Sequence, residues 1–229
     1  VYHWENDGET TLPSVLLETT DKSNSCRVGD TFGFTGDLSP SGSGYIYFIE
    51  GKYTVNENGT TVVKNTHPVS YVLRYKVENG KCATNASPEY TILGSLYATS
   101  PRVVPISDTQ FWADDQGGTH PQLYTWVTGG NATQSSSDEI ATKNYRGNDI
   151  KPFKLSGSNT EYAFVNDLTG SNWYQGHTAL YKKGSSWGEV FNFDDLTEAS
   201  PDAKYSNAGG GSSLAINLNN KNGKTVGME

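Results

Sequence analysis

The stretch GYIYFIEGKYTV, residues 44–55, decides the fold class. In an extended chain its first half places Tyr45, Tyr47 and Ile49 on one side and Ile46 and Phe48 on the other. Aromatic and β-branched side chains fit a pleated surface. A strand that is apolar on both faces belongs in the middle of a sheet. Gly51 is the expected position of a bulge in that strand. Directly after it, Asn56-Glu57-Asn58-Gly59 supplies the positive-φ residues that a primed hairpin turn requires, and residues 60–64 return.

Working outward, the pattern repeats. Residues 31–35 put Phe32 and Phe34 on one face. Residues 14–18 form a short apolar run. Residues 70–77 alternate Tyr71, Leu73, Tyr75 and Val77 with their neighbours, as a half-buried strand would, and Glu78-Asn79-Gly80 turns the chain. Residues 90–97 and 102–106 follow. Pro101 and Pro105 assign the second of these to a sheet edge. Beyond Ser107 the strand-like runs shorten (123–128, 162–165, 177–182, 190–193, 214–218), and the segments 129–148 and 199–213 read as long polar loops. Residues 194–198 could form one helical turn. No segment carries a sustained helical stripe of about 3.6 residues in period, and no repeat of fixed length is present.

The expectation is an all-β chain. It is a single antiparallel β-barrel or β-sandwich domain with long polar loops, spanning residues 1–229, with a softer boundary near Ser107 and a polar tail or linker at 219–229. Composition agrees. Of 229 residues, 12% are aromatic and only 18% charged, so the polarity resides in Ser, Thr, Asn and Gly. Disordered chains are poor in aromatics. The chain opens at Val1 without a charged-then-apolar leader, which suggests a processed piece of a longer protein.

Charge narrows the partners. The net charge of −8 repels a phosphate backbone and an anionic membrane surface, so neither nucleic acid nor membrane insertion is expected. No run approaches the ~20 apolar residues of a spanning helix. Cys26 and Cys82 could form one disulfide or remain two thiols; neither belongs to a CxxC pair. His3, His67, His120 and His177 show no metal-ligand spacing, and no cofactor is implied. No GxSxG, Walker A or GxGxxG sequence sits in a strand-turn-helix context. Three Asn-x-Ser/Thr sequons, at Asn58, Asn85 and Asn131, lie in expected turns or loops.

Two clusters combine aromatic faces with polar groups, the chemistry that recognises a sugar or a protein receptor. In residues 111–126, Trp112 and Tyr124 supply rings, and Asp114, Asp115, Gln116 and His120 supply hydrogen-bonding groups, with Gly117-Gly118 free to bend towards a ligand. The competing reading makes Trp112 and Trp126 core residues. In residues 172–177, Trp173, Tyr174 and Gln175 form the second cluster. Adjacent rings in an extended chain point to opposite sides, so one of them is expected to be exposed. Lys182-Lys183 reads as a solvated turn.

The texture resembles the projecting spike domain of a non-enveloped virus capsid, most closely an astrovirus capsid spike. The features that carry it are residues 45–49, the run 72–77, the stretch 93–99 and the polar tail. The resemblance implies a homodimeric, non-catalytic domain on the virion surface that engages a host-cell receptor, glycan or protein, and carries epitopes for neutralising antibodies. It also implies reduced cysteines. The alternatives are a secreted or cell-surface carbohydrate-binding adhesin of bacterial or fungal type, which would bridge Cys26 to Cys82, and a secreted β-sandwich enzyme acting on polysaccharides.

Overall fold

A computed structural model describes residues 2–3, 14–15, 27–51, 54–63, 71–84, 86–93, 102–115, 119–142, 147–168, 176–192, 215–217 and 226–228. Among these the chain is all-β, without a helix. The strands are β1 (Tyr2–His3), β2 (Ser14–Val15), β3 (Arg27–Gly36), β4 (Ser43–Gly51), β5 (Thr54–Glu57), β6 (Thr60–Val63), β7 (Tyr71–Glu78), β8 (Glu89–Ile92) and β9 (Arg102–Ser107). They continue with β10 (Gln110–Asp115), β11 (Thr119–Thr125), β12 (Thr133–Glu139), β13 (Gly147–Lys154), β14 (Glu161–Leu168), β15 (Gly176–Lys183), β16 (Trp187–Asn192), β17 (Ala215–Asn217) and β18 (Val226–Met228). Twelve of them build three four-stranded sheets, ordered β3-β4-β7-β8, β12-β11-β10-β9 and β13-β14-β15-β16, and the remainder form two-stranded ribbons. The expected helical turn at 194–198 and the loop at 199–213 lie outside the described residues.

Chain contacts group into two compact units. One comprises Val1–Phe111 and Tyr124–Thr133, the other Trp112–Leu123 and Gln134–Glu229. Strands β10, β11 and β12 each change unit along their length. The change of texture near Ser107 thus falls a few residues ahead of the first crossing.

In the first unit, β4 lies between β3 and β7, as its two apolar faces require. One face carries Tyr47, Ile49, Val72 and Thr91, all buried, over a core that also holds Val103, Phe111 and Trp126. The ring of Tyr47 meets Trp126 edge-on at 5.9 Å, and Phe111 stacks on Tyr124 at 5.7 Å. Strand β9 runs close over β3. A Cβ on Gly33 would sit 2.2 Å from Pro105 Cδ, so only glycine admits that approach. Pro105 is tolerated because β9 is an edge strand, as expected. The turns also follow the sequence. Asn58 and Gly59 have φ of 52° and 82°, and Asn79 and Gly80 have 51° and 68°.

Several expectations need correction. Gly51 does not bulge β4; it ends the strand opposite Arg27, and the register slips on β3 between Val28 and Phe32. Further slips fall on β13 between Gly147 and Asp149, and on β16, where Val190 is the extra residue. All three are edge strands, where a bulge hinders pairing with a foreign strand. Strand β7 is not half-buried: Val72, Arg74, Tyr75 and Val77 are all covered. Strands beyond Ser107 are not short, since β13, β14 and β15 each run eight residues. The polar segment 129–148 contains all of β12 and the start of β13. Lys183 is not in a turn; it closes β15, and the turn is held by Gly184 N–H donating to Ser186 O at 2.9 Å.

In the second unit one face of the β13–β16 sheet buries Ile150, Ala163, Val165, Ala179, Tyr181 and Trp187. Trp187 meets Trp112 edge-on at 5.7 Å. At the rim of this core, Lys183 Nζ is paired with the Asp138 carboxylate and lies 3.4 Å from Glu161. Ser135 Oγ donates to Asp138 Oδ2 at 2.7 Å, and Ser137 Oγ at 3.2 Å. Burial alone would raise the Asp138 pKa. The hydrogen bonds from Lys183 and Ser135 and the lysine charge outweigh it and hold the carboxyl below its ordinary range. For Lys183 burial works downward, and Asp138 and Glu161 together lift its pKa. A carboxyl depressed in the folded chain stabilises above its unfolded pKa, and that contribution disappears as pH falls through the folded value. Asp138→Asn is therefore expected to cost about 1–3 kcal/mol at neutral pH and to flatten the acid limb of a stability–pH profile measured by urea unfolding. An acid limb identical to that of the parent chain would remove this pair from the account.

Candidate binding surfaces

The first cluster read from the sequence is mostly interior. Trp112 is 2% exposed, Asp114 0% and Tyr124 4%. Strand β10 buries four consecutive residues, Phe111 to Asp114, so neither of its faces looks onto solvent there. These three residues are core, and a surface ligand does not reach them. His120 is half-buried. Its Nδ1 accepts from the Thr142 N–H at 3.2 Å and pairs with Thr142 Oγ1 at 3.0 Å, which leaves the proton of the neutral ring on Nε2. That bond ties β11 to residue 142. The Asp115 side chain, Gln116, and the second cluster of Trp173, Tyr174 and Gln175 lie outside the described residues, as do Cys26 and Asn85. Cys82 is buried with a free thiol, and burial raises its pKa. Among the described residues no group of three or more His, Cys, Asp or Glu side chains is placed to hold a metal ion.

The exposed rings are elsewhere. The β3-β4-β7-β8 register sets Phe32 opposite Phe48, Phe48 opposite Leu73, and Leu73 opposite Tyr90, which makes one apolar row across four strands. Phe34, Ile46 and Tyr75 form the next row. At one end Ile46, Tyr75, Val77 and Cys82 are covered by Leu38, Phe48 and Ala86. Towards the edge strands the face opens: Phe32 is 56% exposed, Phe34 58% and Tyr90 42%. The rings are braced by neighbours on the same face. Phe32 stacks on Phe48 at 6.1 Å, Phe48 meets Tyr75 edge-on at 6.0 Å, and Tyr71 meets Tyr90 at 5.8 Å. Such pairs are worth about 0.5–1.5 kcal/mol beyond area burial, and they keep the platform rigid.

The sheet beneath this face is pinned by Arg74, which is on the opposite, buried side of β7. Its guanidinium lies between the rings of Tyr45 and Trp126, with Cζ 4.2 Å from each centroid. Nε donates to Glu89 Oε2 at 2.7 Å, and Nη1 donates to Tyr47 Oη at 3.4 Å and to the Asp108 carbonyl. Strands β4, β7 and β8 and the β9–β10 turn thus meet on one side chain.

The second unit carries a similar surface on its own sheet. Phe153 stacks on Tyr162 at 5.6 Å and on Phe164 at 5.5 Å, and Phe191 is exposed. Lys151 lies opposite Phe164, and Lys182 opposite Tyr162, so cations flank the stacked rings.

Comparison with known proteins finds no matching family, no matching curated protein and no matching solved structure. Sequence reasoning missed both surfaces. Alternation had placed Phe32 with Phe34, but aromatic rings at strand spacing read equally as core.

Proposed function

We propose that the chain is a non-catalytic attachment domain of the kind that projects from a non-enveloped virus capsid, and that the aromatic face of the β3-β4-β7-β8 sheet contacts its host-cell receptor. The observation that carries this reading is that Phe32 and Phe34 project more than half exposed from a sheet whose other face is closed. Rigid, exposed aromatics are the side chains most enriched at interface hot spots, and isolated monomers rarely leave them together. A carbohydrate-binding adhesin is the second reading. The ring stack of Phe153, Tyr162 and Phe164 favours it, because sugar C–H faces stack on such platforms. Its expected Cys26–Cys82 bridge does not accord with the free thiol of Cys82.

The test is the double variant Phe32→Ser, Phe34→Ser, with binding of the purified chain measured on cultured cells and on a glycan array. Both side chains are more than half exposed, so the melting temperature should fall by only a few degrees, chiefly from loss of the Phe32–Phe48 stack. Binding should fall at least about tenfold. A parent-like signal from the double variant would move the contact surface elsewhere. Loss of glycan-array signal on Tyr162→Ala alone would favour the adhesin.

A further inference from the structure

The sequon Asn131-Ala132-Thr133 lies where a loop runs along the outer edge of β8. Gly129 N–H donates to Tyr90 O, Ile92 N–H to Gly130 O, and Ala132 N–H to Ile92 O, each at 2.8 Å. Thr91 Oγ1 adds a bond to Gly130 O at 3.2 Å. The two backbone bonds of Ile92 make a parallel bridge between Ile92 and Asn131. Residues opposed across such a bridge carry their side chains on the same side of the sheet. Ile92 lies opposite Tyr71, and Tyr90 opposite Leu73, so both belong to the aromatic face. Asn131 is thereby set on that face, one strand spacing of about 4.8 Å beyond β8. Its side chain is exposed, as is that of Thr133, with Ala132 half-buried between them. A Cβ on Gly129 would lie 4.0 Å from Tyr90 Oη, which puts the exposed Tyr90 ring beside the same loop.

We propose that Asn131 is an N-glycosylation acceptor, and that a sugar attached there covers the β8 margin of the aromatic face. The donor is a lipid-pyrophosphate-linked oligosaccharide, met in the lumen of a eukaryotic secretory pathway. Asn131 Nδ2 displaces the lipid pyrophosphate from C1 of the first sugar. The C1–N bond forms, the C1–O bond breaks, Nδ2 gives up one proton, and the lipid pyrophosphate leaves. No electrons are transferred. The transferring enzyme reads an asparagine with a hydroxyl two residues on and no proline between, which Ala132 and Thr133 satisfy. The folded chain must then leave room for a bulky polar group, and an exposed amide on a backbone anchored to β8 does so without breaking a strand pair. The first sugar stands next to Tyr90, whose ring offers an apolar surface to its C–H groups. The inference stands apart from the receptor reading. A chain folded in the cytosol keeps a bare Asn131, and a chain passed through the lumen carries carbohydrate at the margin of the face.

The experiment secretes the full chain from mammalian cells behind a cleavable leader, beside a Thr133→Ala variant that removes the sequon and keeps Asn131. Both are compared by melting temperature, which should agree because Thr133 is exposed. Tryptic peptides are read by mass spectrometry before and after enzymatic glycan release. Cleavage at Lys52, Lys64, Lys81, Arg102 and Lys143 puts Asn58, Asn85 and Asn131 on separate peptides. The Asn131 peptide should carry a glycan in the parent chain and lose it in the variant. Hydroxyl-radical footprinting of the intact proteins should oxidise Tyr90 more slowly in the parent than in the variant. A bare Asn131 in the secreted, folded parent would overturn the assignment. A glycan at Asn131 with Tyr90 oxidised equally fast in both chains would overturn the placement on the aromatic face.

Discussion

Replacing Arg74 with methionine is expected to destabilise the first unit by about 2–4 kcal/mol. The guanidinium is 10% exposed, while its partner Glu89 is 41% exposed. The carboxylate left behind can therefore rehydrate, which keeps the penalty below that of a fully buried broken pair. The larger loss comes from the other contacts. Tyr47 Oη and the Asp108 carbonyl lose a charged donor, and two ring faces lose a cation held 4.2 Å from each. Methionine fills part of the slot between the rings but donates nothing. Arg74→Lys should fall between the parent and the methionine variant, because an ammonium cannot fork to Glu89, Tyr47 and Asp108 at once. Urea unfolding followed by tryptophan fluorescence reads the effect, since Trp126 is itself a wall of the slot. A methionine variant with the parent midpoint would show that the cage contributes no stability.

Trp112→Ala should cost about 3–5 kcal/mol and abolish the near-ultraviolet circular dichroism of the second unit's core. The side chain is 2% exposed and edge-on to Trp187, so truncation opens a cavity that the sheet cannot close. A ligand-stacking tryptophan would behave differently: its removal would weaken binding and leave the melting temperature in place. The contrast with Phe32→Ser, Phe34→Ser is the useful one. Exposed rings should carry binding with little stability, and the buried indole should carry stability without binding. The reverse pattern would return residues 112–124 to the surface reading.

What the sequence determined unaided is local. The two apolar faces of residues 45–49 placed β4 in the middle of a sheet, Asn58-Gly59 and Asn79-Gly80 set two turns, and Pro105 set an edge. Each depends on φ/ψ preference or on the two-residue period of a strand, which the chain carries wherever it lies. Strand β12 was not legible, because Thr133–Glu139 is an exposed edge strand with no apolar residue, held by hydrogen bonds rather than burial. Tertiary structure alone decided which aromatic face is covered. Phe32 and Phe34 look like core and are exposed, whereas Trp112 and Tyr124 look like a ligand platform and are buried. Alternation fixes which side chains share a face. Whether that face meets protein or water depends on partners distant in the chain, as when Arg74 reaches Trp126 and Trp112 meets Trp187.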